Sequence, residues 1–179
     1  MAGNLFARSV HDLTAGAWFG GSLMGAVGLN GAAAEAKDPA ERTRLSSLGW
    51  KKWAPLQSAA IIGHFLAGLA IIGENKGRVA KQDGVGTLTV YKTAVTVVGA
   101  LATFYAGLLG RKVDKYSEEG AAGATEPNPG TSKELQSAQR QLKVVQWCIP
   151  VFSGAVIVMG AQHGEMQRTS NVLKGLLQS

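Results

Sequence analysis

Three histidines and a few carboxylates are the residues of this chain whose chemistry goes beyond packing. If its four long uncharged segments all cross a membrane, the start of the first and the ends of the second and fourth meet at one face. That face collects His11, Asp12, Glu74, His163, Glu165 and Met166, while His64 lies near the middle of the second segment. Histidine and carboxylate are the usual ligands of zinc, copper(II) and iron, and two histidines from different helices can ligate haem. The sequence therefore indicates a cofactor site at His11, His64 and His163, or a metal site at His11, Asp12, His163 and Glu165.

The same residues also have a plainer interpretation. Helix ends are polar because they meet headgroups and water, and Asp12 near a helix N-terminus is favoured by the helix dipole alone. The histidine and carboxylate pairs lack an established ligand spacing, so no cofactor is predicted from spacing. His64 is different, because an ionisable group at bilayer depth is costly and usually functional. A proton or quinone role is one interpretation of His64; a neutral ring donating to a carbonyl or to a threonine of the third segment is the other.

The elements that must position these residues are four segments without formal charge, at residues 13–34, 53–73, 93–110 and 144–164. A hydrocarbon core of roughly 30 Å needs about 20 mainly apolar residues, and each segment is near that length. The helices of a soluble bundle would need a polar stripe facing water, which these segments lack. The sequence predicts a single domain over residues 1–179: an all-α integral membrane four-helix bundle with extramembrane helical extensions.

The connections between the segments predict a topology. Residues 117–131 are rich in turn formers and poor in apolar side chains, which predicts a mobile loop. The first and third connections carry more Lys and Arg than the other side of the bundle. By the positive-inside rule they lie in the cytoplasm, so both termini of this plasma-membrane protein are predicted outside. The basic residues are scattered along the chain, which favours lipid headgroups over nucleic acid as their partner.

Glycines at four-residue spacing mark the first segment: Gly16 and Gly20, then Gly21 and Gly25. In lipid, close backbone approach over such residues is a main packing device between helices. The glycines favour a non-enzymatic module that works through protein contacts, as a homo-oligomer or as an accessory subunit of a larger membrane complex. No phosphate-binding loop, HExxH motif or paired nucleophile points to an enzyme. The alternative function is a haem-, metal- or quinone-binding redox or transport helper that uses the membrane-face histidines.

Three stretches, SVHDLTAGAWFGGSLMGAVGLNGAA, GWKKWAP and QRQLKVVQW, resemble an uncharacterised family of actinobacterial four-span membrane proteins. That resemblance implies a four-span fold and brings no function with it. More distantly, His11 followed by Trp18 and paired glycines is similar to the opening of copper-resistance D type membrane domains. The rest of the chain lacks the methionine- or histidine-rich relay that copper handling implies.

Overall fold

The computed structural model describes residues 5–177, with side chains described for residues 5–173. Within that part of the chain the protein is all-helical and no strand forms, which confirms the predicted class. The helices are α1 (Leu5–Met24), α2 (Asn30–Ala34), α3 (Pro39–Glu74), α4 (Lys76–Lys81), α5 (Val85–Lys115), α6 (Lys133–Glu165) and α7 (Thr169–Leu177). A π-helical turn, Gly25–Leu29, joins α1 to α2 without a break, and a 3-10 turn, Ser117–Glu119, follows α5.

The four long helices pack side by side. Helix α1 contacts α3 and α6, and α5 contacts α6 and α3. Within the described residues, α3, α5 and α6 are long and apolar enough to cross a membrane, which is consistent with a multi-pass membrane protein. The first predicted segment, residues 13–34, lies in the helical run formed by α1, the π-helical turn and α2, which is not among those three.

The bundle differs from a water-soluble protein in its interior and in its surface. Many small or polar side chains lie inside, among them Ser22, Gln57, Thr96, Gln146 and Ser153, beside large apolar ones such as Trp18 and Val156. Large apolar side chains point outward, among them Leu66, Val98, Leu101, Phe104 and Val158. Such a surface is stable in lipid, where outward apolar groups cost nothing and inward polar groups can find partners.

The four glycines of α1 and the following turn divide into two pairs. A Cβ added at Gly21 would lie 1.9 Å from the Trp53 ring, and one at Gly25 would lie 2.2 Å from the Trp50 ring. These two glycines let α3 approach α1 through its tryptophans. Added at Gly16 or Gly20, a Cβ would meet nothing within 4 Å. Only half of the predicted packing set is therefore used inside the chain.

A buried polar network ties the C-terminal end of this run to its neighbours. The Asn30 amide donates to Gln146 Oε1 on α6 at 2.8 Å. Its carbonyl oxygen accepts from Trp50 Nε1 on α3 at 2.9 Å. Asn30 starts α2 directly after the π-helical turn, so the network fixes three elements with one side chain.

The connection between α5 and α6 is held against the bundle. Gln139, which is fully buried, donates to the carbonyl oxygens of Gly123 and Ala124 at 3.1 and 3.2 Å. The backbone N–H of Ala121 donates to the Pro39 carbonyl at 3.1 Å. These contacts tie the middle of residues 117–131 to α3 and α6, and the mobility predicted for this loop stays a prediction. They arise because backbone groups, which composition does not register, supply the partners.

We expect Gly21→Ala to destabilise the protein and Gly20→Ala to leave it unchanged or slightly more stable. The first change overpacks the Trp53 contact, at a cost of about 1–3 kcal/mol, whereas the second only improves helix propensity. Thermal unfolding of both variants in one mild detergent measures the difference. Equal melting temperatures would contradict the glycine–tryptophan contact.

We expect Gln139→Leu to loosen the α5–α6 connection, because the Gly123 and Ala124 carbonyls lose their donor. An unsatisfied buried group costs about 1–3 kcal/mol. Faster cleavage after Glu126 by a glutamate-specific protease measures the loosening. Gln141→Leu is the matched control, since Gln141 bonds to Ser137 and Tyr105 and not to this connection. Equal cleavage of the two variants would contradict the tie.

Candidate functional site

A cavity of about 610 Å³ lies at one end of the bundle. Helices α1, α3, α5 and α6 all line it. Helix α4 contributes Arg78 and Val79 at the end where α3 stops and α5 begins, which we call the mouth of the cavity. Its polar and charged lining includes Arg8, His11, Asp12, His64, Arg78, Thr89, Lys92, Thr96 and His163. The predicted meeting of His11, Asp12 and His163 at one face therefore occurs, and His64 joins them.

Two histidine rings form the centre of this lining. The centroids of His11 and His64 are 4.0 Å apart with the ring planes 31° from parallel. His64 Nδ1 lies 3.1 Å from the His11 carbonyl oxygen. Since a carbonyl only accepts, His64 must carry its proton on Nδ1. The partner is thus a backbone carbonyl of α1, one of the two kinds of partner predicted, and not a threonine of α5.

A tryptophan supports the same centre from α1. Trp18, which is fully buried, meets His64 in an edge-to-face arrangement with ring centroids 6.5 Å apart. Its Nε1 donates to Thr103 Oγ1 on α5 at 3.1 Å. The indole ring is therefore buried, and its N–H has a hydrogen-bond partner.

A hydrogen-bonded chain runs from the mouth of the cavity into it. Asp12 Oδ1 lies 3.0 Å from His11 Nδ1, and His11 Nε2 lies 3.3 Å from Lys92 Nζ. A carboxylate accepts and an ammonium donates, so His11 donates from Nδ1 and accepts at Nε2. Asp12 thereby orients the imidazole, and the imidazole offers a lone pair to the lysine.

Lys92 is the site residue that sequence reasoning missed. It directly precedes the third uncharged segment, where a basic residue is typical of a headgroup anchor. Helix α5 begins at Val85, so Lys92 lies about two turns inside it. Because the helix begins seven residues before Lys92, this lysine lies within the bundle and not on a loop. The position of the helix start is the signal that could have identified it.

The other predicted residues are placed differently. His163 Nε2 lies 3.3 Å from Thr89 Oγ1 at the cavity wall. Glu165 is outside the lining and pairs with Arg168 at 2.9 Å, and Glu74 lines a separate, smaller cavity. The carbonyl oxygen of Met166 accepts hydrogen bonds from Arg78 and Gln82 at 3.1 and 2.9 Å. These bonds fasten α4 to the end of α6.

Fixed positive charge exceeds fixed negative charge around the cavity. Arg8, Arg78 and Lys92 line it together with a single carboxylate, Asp12. Among the described residues, no carboxylate lies within 4.0 Å of the nitrogen atoms of these three cations. Burial, and then the charge of Arg8, lower the pKa of Arg78 below its ordinary value, although a guanidinium stays charged at neutral pH.

Neither a metal centre nor a haem between the paired rings follows from this geometry. Within residues 5–177, no group of three or more His, Cys, Asp or Glu side chains is arranged to hold a metal ion. Axial histidines of a haem lie on opposite faces of the macrocycle. Rings whose centroids are 4.0 Å apart leave no room for a macrocycle between them.

No protein-family model, curated protein or solved structure matches this chain. The resemblance of its first segment to actinobacterial four-span proteins and to copper-resistance D type domains stays a prediction.

Proposed function

We propose that this chain is a four-span integral membrane protein that binds a small amphiphilic molecule in the cavity between its long helices. The ligand is taken from the membrane and held beside His11 and His64. This is the helper role indicated by the membrane-face histidines, with an organic ligand in place of a metal ion or haem.

The fourth span in this proposal is the helical run over residues 5–34. At 1.5 Å per residue the run is about 45 Å long, which exceeds a hydrocarbon core of roughly 30 Å. It packs in the bundle against α3 and α6, and it presents Leu13, Met24 and Val27 outward. These are the properties expected of a lipid-exposed span.

The cavity is the observation that carries the binding function. Its volume of about 610 Å³ lies within the range of small-molecule sites, roughly 300–1,000 Å³. Helices that served only as packing elements would close such a space with side chains, because empty volume forfeits dispersion contacts. Ionisable groups at this depth are costly, which favours a functional reason for them.

The four glycines of the first segment are one of the grounds for the predicted role in protein contacts. Gly21 and Gly25 are occupied by tryptophans of the same chain, and Gly16 lines the cavity. That leaves Gly20 as the one open position of the set away from the cavity. Association with a second copy or a larger complex stays a prediction.

Filling the cavity from Gly16 tests the binding function. The full chain in mild detergent is incubated with a total membrane lipid extract, and bound molecules are measured by native mass spectrometry. We expect one small molecule per wild-type chain and a loss of about fivefold to 150-fold in Gly16→Leu, because a steric clash between the added side chain and the ligand costs about 1–3 kcal/mol.

Gly20→Leu is the matched control, since Gly20 lies one turn away on the same helix and does not line the cavity. Both glycines leave open space for an added Cβ, so both variants should fold. Equal occupancy in the two variants, or no uptake by the wild type, would overturn the binding function.

The predicted orientation places the cavity mouth outside the cell. We expect a cysteine at Asp83, between α4 and α5, to react with an impermeant thiol reagent in intact cells, because this connection shares the face of the termini. A cysteine at Asn128, in the α5–α6 connection, should react only after lysis. Cys148→Ser as the parent variant removes the chain's own thiol. The reverse labelling pattern would place the mouth in the cytoplasm.

A further inference from the structure

We infer that the cavity, as the binding site proposed for this chain, selects an amphiphile with an apolar chain and an anionic headgroup held at Lys92. The inference deepens the proposed function, on which it rests, by naming the chemical class of the ligand. It is carried by the charges and unused hydrogen-bond donors of the lining.

Lys92 is the anchor for the headgroup. An ammonium has three N–H donors, and within the described residues one of them is used, toward His11 Nε2. A cation at the edge of a lipid-embedded bundle needs a counter-charge, because its desolvation is otherwise uncompensated. Hydrogen bonds from an ammonium to a carboxylate or phosphate are short and strong, so either anion meets this need.

Asp12 does not fill that role directly. Its carboxylate bonds to His11 Nδ1, on the far side of the imidazole from the Lys92 ammonium, and its side chain is 78% exposed. The carboxylate therefore acts by fixing the His11 ring. Its effect is to hold the ammonium of Lys92 in the lining of the cavity through His11.

Two guanidinium groups extend the positive field toward the mouth. Arg8 lies one turn before His11 on α1, and Arg78 lies on α4. Arg78 already donates to Gln82 Oε1 and to the Met166 carbonyl, which fixes it beside the opening. Both arginines line the cavity, so a ligand entering from this face meets positive charge before it reaches Lys92. A cationic headgroup is repelled along the same path.

The apolar part of the ligand has a surface of its own. Side chains from α3 and α6 line the same cavity and carry no charge: Phe65, Leu69, Ile72, Val156 and Ile157. An apolar chain that leaves water for these residues is stabilised in proportion to the area buried. The cavity thus combines a cationic end with an apolar wall.

A fluorescent displacement assay tests this ligand class. The full chain in a neutral maltoside detergent binds dansyl-undecanoic acid, and oleic acid, oleyl phosphate, oleyl alcohol and acetate compete for the site. We expect both anionic amphiphiles to displace the probe, oleyl alcohol to be about tenfold to a hundredfold weaker, and acetate to be ineffective. That ratio corresponds to the loss of one charged hydrogen bond.

The variants separate charge recognition from folding. Lys92→Gln should weaken oleic acid about tenfold to a hundredfold and leave oleyl alcohol unchanged, whereas Lys112→Gln, at the C-terminal end of α5, should change neither. If Lys92→Gln does not fold, Arg8→Gln replaces it, with a smaller loss of oleic acid alone expected. The headgroup site is supported if either variant binds oleic acid more weakly than the wild type and binds oleyl alcohol equally well.

The outcomes also separate the two proposals. Equal competition by oleic acid and oleyl alcohol, both weakened by Gly16→Leu, overturns the anionic headgroup and leaves the binding function standing. If neither oleic acid nor oleyl alcohol displaces the probe, and Gly16→Leu and Gly20→Leu give the same result, the binding function itself is overturned. Stronger competition by oleyl phosphate than by oleic acid, or the reverse, supports the inference and identifies the headgroup chemistry.

Discussion

Polar side chains between the long helices of this bundle find their partners among other side chains and backbone groups, because the apolar outer surface of the helices offers none. That constraint explains the placement of Asn30, whose single amide joins α3 and α6. It also explains why His64 donates to a backbone carbonyl and Trp18 to a threonine hydroxyl. In lipid the bundle cannot rely on burying large apolar groups, so these bonds and close backbone contacts carry its specificity.

Open space lies toward one end of the helical run over residues 5–34, and close helix contacts lie toward its other end. Gly21 and Gly25 admit the tryptophans of α3, while Gly16, nearer the start of the run, borders the cavity. The tight contacts at one end hold α1 and α3 together where Asn30 locks them. Toward the other end the helices enclose a space into which His11 and Lys92 project their polar atoms. A binding cavity and a rigid support for it can thus arise from one set of small residues.

The histidine pair acquires its chemistry from neighbours and not from metal coordination. The Asp12 carboxylate and the His11 carbonyl decide which ring nitrogen of each histidine carries a proton. With its proton on Nδ1, His11 can accept from Lys92 and hold the ammonium at the cavity. The cations of the lining, which outnumber its one carboxylate, then set the sign of the field that a ligand meets.

The length of a segment and its lack of charge are local properties. The sequence alone therefore determined that the chain is helical and that α3, α5 and α6 are long and apolar enough to span a lipid bilayer. Topology further predicted that His11, Asp12 and His163 meet, because helix ends at one face are few. Rotation of each helix about its axis was not predictable, since a lipid-facing helix is apolar on most sides. Tertiary structure therefore decided which glycines meet tryptophan, that Lys92 reaches His11, and that Glu165 stays outside the cavity.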